Sequence, residues 1–297
     1  MIYTLGDSFT KWHWSTWSDW LSVYLGQPVT NWAYPGNTNE LIYYTLLEHA
    51  DQLTAADTVY IMWTGNNRVS EWYDADQVST QDIAGFFPDT QGKLWHSSDQ
   101  EYQGFYKTHP ARMPSLTHMM ISNFEIMLRT QWLLQSTGCE YHMMFWQNPW
   151  ADTRETFKPN YMAKWHLNPG SLSDLESQQA RQIMRIPVVH KLLRQINWSK
   201  YYYAPHDLTC PDQYQGLWEF MLQVPELVLL NHVRDHHPNT LAHHDWVSRV
   251  MLPGTDPAYR VDAIRQAQVA QHMELPNTDY RKHSVLDRFG KLPDIKN

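Results

Sequence analysis

The chain has 297 residues, and what it lacks narrows what it can be. No run of Lys or Arg occurs, and 23 basic residues against 31 acidic ones give a formal charge of −8. Phosphate backbones and anionic lipid surfaces are held by clustered cations, so neither nucleic acid nor a membrane is expected as a partner. Long apolar runs are missing as well: stretches such as residues 224–230 fall far short of the ~20 residues that cross a bilayer. Cys139 and Cys210 are the only cysteines, too few for a disulfide framework; one bridge is open to them, and two buried thiols are the expectation. No charged n-region or cleavage site precedes the first apolar segment, so the protein is expected in the cytosol or associated with a virion assembled there. Internal repeats and low-complexity tracts are also absent.

What the chain has in excess is aromatic and imidazole side chains, with 15 Trp, 17 Tyr and 16 His. Such rings fill a heavy core or stack on sugars, and the core claims most of them. The first third alternates short apolar segments with helical periodicity, the pattern of a parallel α/β sheet. Residues 2–5 read as a strand, 15–25 as a helix closed by Gly26 and 28–32 as a second strand. A second helix is expected over 39–53, and the apolar run 58–63 fits a buried central strand. Residues 68–114 are polar and aromatic without sustained period, long enough to be a lid or a substrate wall.

Helical spacing returns between Ser115 and Gly138, a strand follows at 140–146, and 148–170 reads as a second insertion. Ser173 and Glu176 make a capping box for a helix expected to reach residue 196. The block 198–222 resists assignment, 226–230 fits a strand or a helix end, 235–239 is a loop and 240–250 a short helix. One domain is expected over residues 1–252, with 253–297 as a C-terminal extension that wraps the surface, serves assembly or is partly disordered.

Chemistry concentrates in Tyr3-Thr4-Leu5-Gly6-Asp7-Ser8-Phe9-Thr10. An apolar strand runs into Gly-Asp-Ser and then into an amphipathic stretch, which reads as a strand, a tight turn and a helix start. A serine there is exposed beside backbone N–H groups, as a nucleophile must be. Three more segments fall on loops at the carboxyl ends of the strands, where α/β sheets place their sites. They carry Gly36 in Tyr34-Pro35-Gly36-Asn37, Asn67 in Thr64-Gly65-Asn66-Asn67-Arg68, and Asp235 and His237 in Asp-His-His-Pro-Asn. A serine hydroxyl becomes nucleophilic when an imidazole accepts its proton, and His237 is the candidate base. Attack on an ester carbonyl creates an oxyanion, for which the N–H of Ser8, the N–H of Gly36 and the amide of Asn67 are candidate donors. Gly36 suits the role because a backbone without Cβ can approach a substrate closely.

Ser8, Gly36, Asn67 and His237, in this order, resemble the SGNH (GDSL-type) hydrolase family, named for a serine, a glycine, an asparagine and a histidine. The resemblance covers residues 1–70 and 235–250; between them the chain is compatible with the family. It implies a three-layer α/β/α, flavodoxin-like fold with a parallel central sheet, carrying large insertions here. It also implies acyl hydrolysis or transfer with no metal and no cofactor. By the resemblance Ser8 is the nucleophile, Ser8, Gly36 and Asn67 form the oxyanion hole, and His237 is the base. His243 then matches a second histidine of the family's last block that is not the base. The chain departs from the family at Phe9, usually leucine, and at Arg68, where aspartate is common and the loop's support therefore differs. Arg234 holds the place of the usual aspartate three residues before the histidine. Asp235 is the candidate third member of a triad, with a Ser–His dyad aided by a backbone carbonyl as the alternative.

The expected activity is a serine esterase removing a small acyl group, an O-acetyl in particular, from a carbohydrate. The same residues would serve an O-acyltransferase acting on a sugar alcohol. A third reading is a non-catalytic module that binds glycan or a partner in a virion or surface assembly, since some phage-encoded proteins carry this fold. Trp12, Trp14, Tyr34 and Arg68 are candidate substrate contacts, against the plainer readings of core tryptophans and a surface pair between Arg68 and Glu71. His236, His237, His243 and His244 with Asp235 and Asp245 show no recognised ligand spacing, so no metal is expected.

Overall fold

A computed structural model of the chain describes residues 1–12, 15–66, 68, 70–73, 93–96, 114–151, 172–223, 237–238 and 240–256. Its strands are β1 (Ile2–Leu5), β2 (Val29–Asn31), β3 (Thr58–Trp63), β4 (Ser70–Tyr73), β5 (Lys93–His96) and β6 (Glu140–Phe145). Four of them form one all-parallel sheet in the order β2-β1-β3-β6, with Ile2 opposite both Val29 and Thr58, and Thr58 opposite Glu140. That order is the flavodoxin-like one, and its topological switch lies between the carboxyl ends of β1 and β3.

The helices are α1 (Trp17–Leu25), α2 (Asn39–His49), α3 (Leu116–Thr137), α4 (Asp174–Met184), α5 (Pro187–Gln195), α6 (Leu217–Leu222) and α7 (Thr240–Trp246). Side chains alternate across the sheet, so each strand feeds two cores. Tyr3, Leu5, Val59, Ile61, Trp63, Met143 and Phe145 pack with apolar residues of α2, α3, α4 and α5. Ile2, Tyr60, Met62 and Met144 pack on the other face with α1, α6 and α7. Three layers result, and the apolar runs are continuous because both sheet faces are covered. Trp17 and Trp20 are fully buried in the second core, where truncating either would cost about 3–5 kcal/mol.

Helix ends follow local chemistry. Thr16 and Asp19 form a capping box, and Gly26 closes α1 in the left-handed region at φ 65°. Thr38 caps α2 by accepting from the Leu41 N–H, and Ser115 caps α3 by accepting from the His118 N–H.

Several elements differ from expectation. The helix expected from Ser173 to residue 196 is two helices, because Pro187 has no N–H to continue the ladder and instead opens α5 at its first turn. The second helix ends at His49 and gives way to a 3-10 turn, Ala50–Gln52. The last one passes from α7 into a π turn, Val247–Met251. Inside 68–114, β4 and β5 pair antiparallel, a ribbon too short to show as periodicity. The unassigned block lies along the outer edge of β6, with bridges Met143 to Tyr201 and Phe145 to Gly216 that cover that edge. Cys139 and Cys210 are both free; Cys139 is buried as expected, but Cys210 is only half-buried. Residues 152–170 and 226–230, and the expected extension past residue 256, lie outside the described residues. Among the described residues no helix is long and apolar enough to cross a membrane.

Candidate active site

β1 is a central strand, and its carboxyl end turns at Gly6-Asp7-Ser8. The N–H groups of Thr10 and Lys11 both donate to the Asp7 carbonyl at 3.0 Å, closing a helical turn. A Cβ on Gly6 would meet Thr10 Oγ1 and approach the Met62 carbonyl to 3.1 Å, so only glycine fits there. The Asp7 carboxylate is fully buried. Its Oδ1 accepts from the Phe9 N–H at 2.9 Å, and its Oδ2 accepts from Thr64 Oγ1 at 2.7 Å and Arg68 Nη1 at 2.9 Å. Ser8 is 5% exposed, and its Oγ lies 2.7 Å from His237 Nε2. The imidazole is stacked on Trp12, with centroids 3.8 Å apart and planes at 17°, and touches Phe9 at 5.2 Å. Two rings of Ser8's own segment thus fix the plane of His237.

The neighbouring loops are tied to the same turn. Tyr34 N–H and Asn37 Nδ2 both donate to the Gly6 carbonyl, at 3.3 and 2.9 Å. Between them Gly36 holds φ 86°, a left-handed conformation that favours glycine. Asn31 Nδ2 donates to the Thr10 carbonyl at 2.9 Å. After β3, Thr64 N–H donates to Asn39 Oδ1 at 2.8 Å, and Asn39 Nδ2 donates to Asn123 Oδ1 at 2.6 Å. Asn123 Nδ2 donates to the Asn66 carbonyl, and Asn66 Nδ2 to the Pro149 carbonyl. This buried amide chain roots the β3 loop in α2, α3 and the loop after β6, and sequence reading missed it. The available signal was Asn123, a polar residue beside Met120, Phe124 and Met127 on the apolar face of α3.

The structure therefore joins Ser8 to His237 and ties the Gly36 loop to Ser8's turn. Tyr34 is 47% exposed on that loop. Trp12, a candidate substrate contact, stacks on His237. Arg68 is turned inward, because the buried Asp7 carboxylate requires a counter-charge and Arg68 supplies it. A cleft of about 300 Å³ opens beside it, lined by Glu40, Asn66, Arg68, His118, Ser122 and Arg129. Trp14, Asn67, Asp235 and His236 lie outside the described residues, as does the side chain of Glu71.

On α7, His243 is buried, and desolvation with the nearby His237 pushes its pKa down to about 3, so it is neutral at physiological pH. His244 is engaged elsewhere: Nδ1 meets Asp245 Oδ1 at 2.8 Å and Nε2 meets the Tyr24 hydroxyl at 3.1 Å. Asp245 also pairs with Arg249 at 3.1 Å.

No family model matches the chain, and no curated protein matches it. The solved structure of protein YxiM from Bacillus subtilis aligns at 12% identity and a TM-score of 0.29, over 65% of this chain and 48% of that one. The chain thus spans about half the length of that protein. A superposition so loose carries no argument, and function rests on the site's own geometry.

Proposed function

We propose that this chain is a serine esterase of the SGNH type that hydrolyses a small acyl ester, with an O-acetyl group on a carbohydrate as the preferred substrate. One contact carries the reading: Ser8 Oγ at 2.7 Å from His237 Nε2, across 229 positions of chain. With Nε2 unprotonated the serine hydroxyl donates to it, and the imidazole can take that proton as Oγ attacks the carbonyl carbon. The oxyanion is received by the N–H of Ser8, the N–H of Gly36 and the amide of Asn67, each worth about two to three orders of magnitude in rate. His237 then protonates the leaving alcohol, and water activated by the same imidazole releases the acid. Asp235, or a backbone carbonyl, orients His237 through its other nitrogen. The exposed Tyr34 ring suits stacking on a sugar alcohol.

Hydrolysis of p-nitrophenyl acetate by wild type, Ser8→Ala and His237→Gln tests this. Both variants should lose about 10³-fold or more in kcat. A Ser8→Ala protein that turns over as fast as wild type contradicts the assignment. The low exposure of Ser8 favours one second reading, acyl transfer to a sugar alcohol in place of water. The partition of the acetyl group between water and an added sugar decides between the two. Glycan affinity that survives Ser8→Ala, without any acid release by wild type, would support a binding module.

A further inference from the structure

We propose that Arg68 is a positioning residue for this esterase, a clamp that holds the three oxyanion-donor segments in register. The proposal rests on the serine esterase reading above. A single nitrogen, Nη1, donates to Asp7 Oδ2 at 2.9 Å and to the Asn37 carbonyl at 3.0 Å. Asp7 is the chain neighbour of Ser8, Asn37 of Gly36, and Arg68 itself of Asn67. One guanidinium therefore bonds or belongs to the residue beside each proposed donor. In the order β2-β1-β3 it spans the carboxyl ends of three adjacent strands.

Two observations separate this from an ordinary ion pair. Asp7 is fully buried and Arg68 is 12% exposed, so water screens the pair little. The Asp7 carboxylate is also bonded to the Phe9 N–H and the Thr64 hydroxyl, which makes it the hub between Ser8's turn and the β3 loop. Electrostatics adds a second effect. An uncompensated carboxylate one residue from the nucleophile would oppose the negative charge that develops on the substrate, and the guanidinium cancels it. Lysine would retain the charge but not the planar, rigid donor geometry.

The test is kcat and KM for p-nitrophenyl acetate per active site, with sites counted by complete reaction with a phosphonate. Wild type is compared with Arg68→Lys and with the double variant Asp7→Asn/Arg68→Gln, which leaves no buried charge unpaired and serves if Arg68→Lys does not fold. Misplacing donors by a fraction of an ångström should lower kcat about 10- to 100-fold with KM changed less than about threefold. The acid side of the pH–rate profile should not move, because Ser8 and His237 remain. Arg68→Lys should keep more rate than the double variant. Unchanged kcat per counted site, with only thermal stability lowered, overturns the clamp alone. Wild type that neither turns over nor is labelled overturns the esterase reading, and the clamp with it.

Discussion

Among the described residues, two carboxylates, Asp7 and Glu219, are buried at the carboxyl ends of the sheet and held in different ways. Asp7, after β1, is bonded to one backbone N–H, one hydroxyl and one guanidinium. Glu219, on α6, accepts from the Asn148 N–H at 3.0 Å and the Gly216 N–H at 2.8 Å, with no cation among its described partners. Both anchor a loop that follows a strand. The difference lies in charge: burial outweighs the two amides at Glu219 and raises its pKa to about 7. Where the chain only closes a corner, backbone donors suffice and the carboxyl exchanges its proton near neutrality. Beside the proposed nucleophile it supplies a cation.

That contrast can be broken most severely at Arg68. Arg68→Ala leaves Asp7 in the interior without its cation, and urea denaturation should show a loss of about 3–5 kcal/mol. A loss below about 1 kcal/mol would mean that the Phe9 and Thr64 donors alone satisfy Asp7, as the amides satisfy Glu219.

At the other carboxylate, Gly216→Ala should cost about 1–3 kcal/mol, since the new Cβ meets the Phe145 carbonyl and the Gln147 nitrogen at 2.7 Å, both backbone atoms that cannot swing away. Wild-type stability in a variant of unchanged fold would show that the corner is looser than its hydrogen bonds imply.

The smallest effect sharpens the comparison through pH. A folded pKa near 7 against the usual 4.5 means that Glu219's proton-linked contribution is complete below pH 4.5 and is lost as pH rises through 7. Glu219→Gln should remove that slope, on the order of 1 kcal/mol of unfolding free energy per pH unit between about pH 5 and 7. The difference between variant and wild type is the quantity to follow, because His243 acts with the opposite sign. Its pKa of about 3 gives a contribution present above 6.5 and lost as pH falls through 3. A variant whose slope equals wild type's would place the titration on another group.

The sequence made much of this arrangement legible, because the proposed ester chemistry calls for particular residue types on particular loops. Ser8 and His237 could be named together although 229 positions separate them. The strands were legible too, since burial on both faces makes β3 a continuous apolar run. Arg68 was not, because a cation with an acid three positions on reads as a surface pair; only the fold brings it to Asp7, 61 positions back. The Asn39–Asn123 bond spans 84 positions and leaves no local trace beyond two asparagines in helices. Pro187 was readable in the chain, and the helical periodicity running across it hid the break.

The central claim is that Ser8 is a nucleophile poised by His237, and covalent labelling tests it most directly. A fluorophosphonate should form one adduct on wild type, located to Ser8 by peptide mass spectrometry. The adduct should be absent from Ser8→Ala and form about 10³-fold more slowly in His237→Gln. Folded wild type that is not labelled, or is labelled at another residue, would contradict the account.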